Sequence, residues 1–207
     1  MYSAESNIVF GFHGCDKELA EKLINNPSES LHYSDNPYDW LGKGMYFWEN
    51  DPERALEWAR NSRKTKEPAV LGAAISLGKC LDFMQSKNID ELKKLYESYK
   101  SIGIKVPENK NIPNGDFEFK LRFADSFLIN SYMYQQAMHN NIFYDTVRGV
   151  FWEGKEIYKN AGFKQRNHIQ ISVINPNCIK AFFLPREYKD FTFNSFLSPD
   201  SKLLNSN

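Results

Sequence analysis

The chain has 207 residues, which is enough for one domain with a substantial core. Hydrophobic residues make up 42% of it, which excludes disorder as the main state, and aromatic residues make up 15%. The 26 basic residues balance 26 acidic ones, so no overall positive field attracts polyanions.

Three features place the chain in the cytoplasm with no membrane partner. No apolar run approaches the length needed to span a bilayer. The amino terminus lacks the basic and apolar pattern of a signal peptide. The cysteines are odd in number, are widely spaced and show no metal-ligand pairing, as expected in a reducing compartment; they are Cys15, Cys80 and Cys178.

The amino-terminal third alternates strands and helices. In chain order the pattern predicts a strand (Asn7–Phe12), a turn (11–14), a helix (Asp16–Asn25), a loop (28–43), a strand (Met45–Trp48), a helix (Glu53–Lys64) and a strand (Ala69–Leu77). Asp16 is the predicted N-cap of the first helix, and Asn50 or Asp51 caps the second.

The middle of the chain is predicted to be helical and the last third to return to strands. Its elements are a helix (Ile89–Ser101), a polar loop (107–116), a helix (Phe119–His139) and three strands (Thr146–Trp152, His168–Ile174 and Cys178–Leu184). Strands at both ends with helices between them favour one α+β domain over residues 1–207, with a helical insertion at about 85–145.

Two glycine-containing segments carry candidate ligand contacts. His13 lies between glycines, and Gly14 allows a ligand to approach the main chain, although a structural hydrogen bond is the commoner role for a single histidine. The segment 42–48 lacks the third glycine of a dinucleotide fingerprint and the Lys-Ser/Thr of a phosphate loop. We therefore interpret its glycines as a turn that delivers Tyr46 onto a strand.

Two further segments carry a large aromatic and an amide. Trp58 lies on the apolar face of its predicted helix, where a core role is the ordinary expectation. In the strand after Arg166, alternation places His168, Gln170 and Ser172 on one face. Gln170 is then either a satisfied structural amide or a ligand contact.

The order of these segments resembles the ADP-ribosyltransferase superfamily, and within it the poly(ADP-ribose) polymerase and diphtheria-toxin-like branch with its His-Tyr-Glu signature. Phe12-His13-Gly14 is similar to the first motif and Gly44-Met45-Tyr46-Phe47 to the second. Trp58 stands where a second ring-stacking tyrosine is common. Counting back from Asn175-Pro176 puts Gln170 in the glutamate position. The likeness covers about the first 60 residues and the last 40 of the core, and it implies a split β-sheet core.

The resemblance implies NAD as a substrate and no metal. Nicotinamide would stack between Tyr46 and Trp58, the Gly14 backbone would bind its carboxamide, and His13 would bind a ribose hydroxyl on the adenosine side. Ser34 and Asn36 lie in a segment that closes over NAD in related enzymes, so they are candidates for the adenosine half. An ordinary Asn-Pro turn is the alternative for that segment.

Gln170 departs from the family pattern because it carries no charge, and three interpretations stay open. It orients the ribose in an active mono-transferase, or Glu153 or Glu156 in the predicted loop 152–166 supplies the carboxylate. In the third, the chain binds NAD or ADP-ribose without turning it over. Ala55 replaces a serine common in that branch, and mono-transfer is therefore favoured over polymer extension.

The predicted function is transfer of ADP-ribose from NAD to a macromolecular acceptor, protein or nucleic acid, with release of nicotinamide. By family resemblance such a chain is a bacterial toxin or anti-phage effector, with an antitoxin or inhibitor protein as its partner. The aromatic and basic stretch 147–166 suits a nucleic-acid acceptor, whereas the neutral overall charge favours a protein. An RNA 2'-phosphotransferase-like enzyme is a further alternative, but the motif positions lack the basic residues it needs.

Overall fold

The computed structural model describes residues 8–26, 28–61, 65–114 and 117–186. Its strands are β1 (Ile8–Asp16), β2 (Met45–Glu49), β3 (Pro68–Ser76), β4 (Cys80–Asp82), β5 (Lys110–Asn114), β6 (Phe117–Leu121), β7 (Thr146–Glu156), β8 (Lys164–Val173) and β9 (Ile179–Phe183). Its helices are α1 (Lys17–Asn25), α2 (Pro52–Asn61), α3 (Ser86–Ser101) and α4 (Phe123–Asn140), and a short 3-10 helix spans Pro176–Cys178. Across these ranges, no helix combines the length and apolarity that crossing a membrane requires.

Seven of the strands form one sheet in the order β4-β7-β8-β2-β1-β3-β9. All neighbouring strands in it are antiparallel except β4 and β7, which are parallel. β5 and β6 form a separate antiparallel hairpin. This mixture of a mainly antiparallel sheet with four described helices confirms the predicted α+β class.

The two faces of the sheet carry separate apolar clusters. Odd-numbered residues of β2 and β8, such as Phe47 and Ile171, are fully buried on the face that α1 covers. The opposite face packs Leu41, Val147 and α4 together. Each large side chain buried in this way contributes about 1.5–3 kcal/mol, so these clusters fix which face each strand residue occupies.

The predicted starts of the first two helices agree with the structure. The Asp16 carboxylate accepts a hydrogen bond from the Glu18 N–H, which caps α1. Asn50 adopts a left-handed conformation with φ of 54° and turns the chain out of β2. The Asp51 carboxylate then accepts from the Arg54 N–H at 2.9 Å and caps α2. The described part of α2 ends at Asn61, and the rest of its predicted range, 62–64, lies outside the described residues, as does Asn7.

The predicted turn at 11–14 is wrong, because β1 continues straight through it. β1 pairs with β3 over nine positions, from Ile8 opposite Ser76 to Asp16 opposite Pro68. The glycines in this stretch provide space instead of turning the chain. A Cβ at Gly11 would lie 2.6 Å from the Ile75 side chain, so any larger residue would collide with the core.

The insertion between the sheet strands is only partly helical. α3 and α4 pack together through Tyr99 and Phe127, whose ring centroids are 5.8 Å apart. Between them lies the β5–β6 hairpin, where the sequence predicted a loop followed by a helix from residue 119. The helical pattern was extended too far back, since pairing of β6 with β5 holds the chain extended until Leu121.

The predicted loop 152–166 is largely strand, which corrects the placement of two candidate carboxylates. β7 runs on to Glu156 and β8 begins at Lys164, so Glu153 and Glu156 both belong to a strand. Glu153 lies directly opposite Arg166 in the ladder. Opposite charges at facing positions stabilise such a hairpin.

Candidate functional site

The sheet opens between β1 and β2. The two strands pair only at Gly11 with Glu49 and at Phe12 with Trp48, and the Asn50 N–H donates to the Phe10 carbonyl at 2.9 Å. Beyond that point β1 stays paired to β3 and β2 stays paired to β8, but not to each other. The opening therefore separates a three-stranded part (β1, β3, β9) from a four-stranded part.

Gly14 presents its main chain to this opening. In an antiparallel strand, alternate residues direct their N–H and C=O groups to the same side. Phe10 bonds toward β2, so Phe12 and Gly14 face the same way, and β2 does not pair with Gly14. The Cα side is closed, because a Cβ at Gly14 would lie 2.0 Å from the Ala55 carbonyl oxygen of α2. The main-chain edge that points toward β2 is therefore the side of Gly14 that α2 does not block.

His13 lies beside the opening on the opposite face of β1. Its ring packs near Phe47, with centroids 5.8 Å apart, and its Nδ1 is 2.8 Å from the Tyr46 carbonyl oxygen. A carbonyl only accepts, so Nδ1 carries the proton and Nε2 is an acceptor. Burial lowers the pKa of His13, which keeps the ring neutral at pH 7. Among the described residues, Nε2 of His13 makes no hydrogen bond.

Tyr46 and Trp58 share one face of the sheet but do not contact each other. The Tyr46 hydroxyl donates to the Gly42 carbonyl and accepts from the Leu41 N–H, which ties down the end of the loop 28–44. Trp58 is 49% exposed, and it is Trp48 whose ring meets it, at 6.1 Å between centroids. His13 points to the other face, so the structure does not bring its side chain onto the face shared by the two aromatics.

Gln170 lies in β8, on the face of the sheet that carries Tyr46 and Trp48. It pairs with Trp48 on one side and with Gly149 on the other. Trp58 stands on the α2 side. On the loop side, the Leu41 side chain comes within 3.1 Å of where a Gly149 Cβ would be. Within the described residues the Gln170 amide has no hydrogen-bond partner, so it is available to a ligand.

Glu153 lies on the same strand face as Gln170 but far along it. Its ladder partner, Arg166, is four residues from Gln170, which corresponds to about 13 Å. The Glu153 carboxylate accepts from Arg54 Nη2 at 2.7 Å, and the pair is largely buried. Glu156 is exposed and accepts from the Asn160 N–H at 3.0 Å in the hairpin turn. Neither carboxylate therefore lies at Gln170.

An ion-pair network continues from Glu153. Arg54 also pairs with Glu57, and Glu57 accepts from Arg166 Nε at 2.7 Å. Burial alone would raise the pKa of Glu57, but the two arginines outweigh it and hold that pKa below its usual range. The network lines an open cleft of about 530 Å³, whose lining residues are Asp51, Glu53, Arg54, Glu57, Gln165, Arg166 and Asn167.

Ser34 and Asn36 are bonded to each other. The Asn36 amide donates to Ser34 Oγ at 2.9 Å, and the Asp39 carboxylate accepts from the Asn36 N–H at 2.8 Å. The Ser34 main chain pairs with Gly44. These contacts form a closed turn at the start of the loop 28–44, so both side chains shape the loop before any ligand is considered.

Sequence reasoning missed the roles of four residues of this region, which are Trp48, Arg54, Glu57 and His168. Two sequence patterns point to the first three. Alternation along β2 puts Trp48 on the face of Tyr46, and the spacing along α2 puts Arg54, Glu57 and Trp58 on neighbouring turns. His168 was placed on the Gln170 face but given no role. Throughout the described part of the chain, no group of three or more His, Cys, Asp or Glu side chains is arranged to hold a metal ion.

Comparison with known proteins gives a relative but no family. No family model matches the chain. It is similar to an uncharacterized protein of Methanocaldococcus jannaschii, with 26% identity over 191 residues that take in 82% of this chain and 83% of that protein.

Proposed function

We propose that the chain is a NAD-dependent mono-ADP-ribosyltransferase with the split-sheet fold of that superfamily. The observation that supports the proposal is the opening between β1 and β2, where the N–H and C=O of Gly14 point toward β2 but do not pair with it. A carboxamide has one donor side and one acceptor side, so it complements such an edge with two hydrogen bonds. Nicotinamide carries that group on a flat ring.

The groups around the opening suit the rest of NAD. Nε2 of His13 is an acceptor at neutral pH, which matches the donor of a ribose hydroxyl. On the other face, Gln170 has a free amide for the second ribose. Trp58 is half exposed beside Trp48, and a flat cationic ring gains about 0.5–1.5 kcal/mol by stacking on such a surface, beyond the area it buries.

The chemistry would be dissociative and slow. Breaking the bond between nicotinamide and ribose develops positive charge on the sugar, as in glycoside hydrolysis. Gln170 offers only an amide dipole to that charge, where a carboxylate would offer a full negative charge. This difference supports transfer of a single ADP-ribose over polymer extension. The acceptor is proposed to be a macromolecule, protein or nucleic acid, and the chain a toxin or anti-phage effector held in check by an inhibitor protein.

The test is incubation of the purified chain with NAD labelled in the adenine, alone and with a cell extract. Free nicotinamide and label retained in protein or nucleic acid are measured together. The proposal expects both, and expects His13→Ala to lower them by at least a hundredfold in protein that circular dichroism shows to be folded at the assay temperature. His139→Ala is the matched control, because His139 is exposed on α4 far from the opening. Wild-type protein that releases no nicotinamide would contradict catalysis.

A second candidate is a module that binds NAD or ADP-ribose without turnover. It is favoured by one observation, that the strand position of Glu153 is about 13 Å from that of Gln170 and its carboxylate is bonded to Arg54. Calorimetry distinguishes the two functions. Heat of NAD binding without nicotinamide release in a parallel chromatographic assay would select the binding module.

A further inference from the structure

Three buried side-chain nitrogens form no hydrogen bond within the described residues, and they belong to neighbouring side chains. They are Trp48 Nε1, Arg54 Nε and His168 Nε2. The rings of Trp48 and His168 have centroids 6.5 Å apart. His168 Nδ1 lies 3.9 Å from the Glu153 carboxylate, which also accepts from Arg54. Buried polar atoms normally form hydrogen bonds. Three neighbouring nitrogens without such a bond therefore indicate a site where a polar group can bind.

The hydrogen bond at Nδ1 determines what His168 offers. Nδ1 is 2.9 Å from the Arg166 carbonyl oxygen, which can only accept, so Nδ1 carries the proton. Nε2 then presents a lone pair. Burial lowers the pKa of His168, outweighing the opposing effects of the Arg166 carbonyl, Glu153 and Asp51, while Arg54 lowers it further. The ring is therefore a neutral base at pH 7.

The unpaired groups of Trp48 and His168 complement one hydroxyl group. The indole Nε1–H is only a donor and the imidazole Nε2 is an acceptor, whereas a hydroxyl both accepts and donates. The rings that surround His168 are those of Trp40, Trp48 and Phe151. These shielding groups are side chains, which can rotate to admit an oxygen more easily than main chain can.

The location of His168 connects this pair with the proposed reaction. His168 is two residues from Gln170 on the same face of β8, which is about 7 Å along the strand. Trp48 lies directly opposite Gln170 in β2. The pair thus places a proton acceptor and a donor beside the amide that stands in the glutamate position.

We propose, resting on the function proposed above, that His168 is the general base of the transfer step and that Trp48 Nε1–H positions the attacking hydroxyl. The bond between the ribose C1' and the nicotinamide nitrogen breaks, and its electron pair neutralises the pyridinium. The oxygen of the acceptor hydroxyl, or of water in hydrolysis, bonds to C1'. Its proton passes to Nε2 of His168 and then to solvent. Atoms and charge balance without any further reactant.

The principal test is the pH profile of nicotinamide release by His168→Gln, with His139→Gln as the matched exposed control. In wild-type protein the rate should rise with pH through a midpoint below about 6.5, because the base must lose its proton. Glutamine can accept a hydrogen bond but cannot take a proton at these pH values. The variant should lose roughly 10²–10⁴-fold in rate and lose the acid limb, while its Kd for NAD stays within about threefold.

Trp48→Phe is the second variant, since it keeps an aromatic ring in the core and removes the N–H donor together with part of the indole volume. It should lower the rate by about tenfold and leave the midpoint of the pH profile in place. Nitrogen-15 NMR of the imidazole gives a readout independent of turnover, with Nδ1 protonated and Nε2 bare at pH 7.

Two results would overturn the assignment while leaving the proposed function intact. The first is a His168→Gln protein with wild-type rate, or one with a reduced rate but an unchanged acid limb. The second is an NMR spectrum with the proton on Nε2. A wild-type protein that binds NAD and releases no nicotinamide would overturn both the transferase and the base, so the two failures are distinguishable.

Discussion

The packing of α2 on β1 predicts that Gly14→Ala is strongly destabilising even though the change adds one methyl group. The new Cβ would lie 2.0 Å from the Ala55 carbonyl oxygen, 2.9 Å from its carbon and 3.3 Å from the Ala59 side chain. The first two atoms are main chain, so no side-chain rotation relieves the clash and α2 must move off the sheet. Overpacking of this kind lowers the free energy of unfolding by about 1–3 kcal/mol. Because the obstructing atoms belong to the main chain, we expect Gly14→Ala to cost about 3 kcal/mol.

Urea denaturation followed by circular dichroism measures this difference directly. For a chain of this size, about 3 kcal/mol corresponds to a fall in Tm of roughly 6–12 °C. Gly162→Ala is the control, because a Cβ there meets nothing within 4 Å, and it should leave Tm nearly unchanged. Equal stability of the two variants would refute the placement of α2 against Gly14, and with it the geometry of the opening.

Three other changes probe the site and its framework. Gln170→Glu introduces a carboxylate at the position proposed to face the ribose and should raise nicotinamide release by roughly tenfold to a hundredfold, measured by chromatography. Arg148→Met removes the bidentate partner of Glu49, with Arg148 Nε 2.6 Å from its carboxylate, and should destabilise the fold by about 3–5 kcal/mol in urea titrations. Asp16→Asn should flatten the loss of stability below about pH 4. Main-chain N–H donors, first Lys66 and then Glu67, lower the pKa of Asp16, so its contribution is present above the unfolded pKa and is lost as pH falls through the folded one.

Matched variants separate these effects from general perturbation. Gln85→Glu adds the same charge at an exposed position at the start of α3. If both glutamate variants raise nicotinamide release equally, the role of Gln170 is refuted. Lys94→Met breaks an exposed ion pair with Glu91, for which little change in stability is expected because solvent screens the pair. Asp90→Asn, also at an exposed position, should lose stability at low pH in the same way as the wild-type protein. An Arg148→Met protein as stable as Lys94→Met would contradict the buried network.

The parts of the fold that follow local rules could be predicted from the sequence. The caps of α1 and α2 depend on the side chain of one aspartate each, Asp16 and Asp51, and both were recognisable. Long-range packing was not recognisable. Gly14 suggests an open turn when read alone, whereas its neighbours Ala55 and Ala59 come from a helix forty residues later. A glycine between apolar residues does not reveal whether it turns the chain or admits a helix.

The candidate site was likewise predictable from the sequence only in part. His13, Tyr46 and Gln170 could be selected because short motifs contain them. The hydrogen bond from His13 to the Tyr46 carbonyl could not, since it depends on where two strands stop pairing. The roles of Trp48 and His168 depend on cross-strand register, which one strand's sequence does not determine.

The most direct test of the central claim is a crystal structure of the chain with a hydrolysis-resistant NAD analogue. The carboxamide is expected within about 3.2 Å of both the Gly14 N–H and its C=O, in the opening between β1 and β2. Nicotinamide bound elsewhere, or a ladder between Gly14 and Tyr46 that is closed in the presence of the analogue, would contradict it.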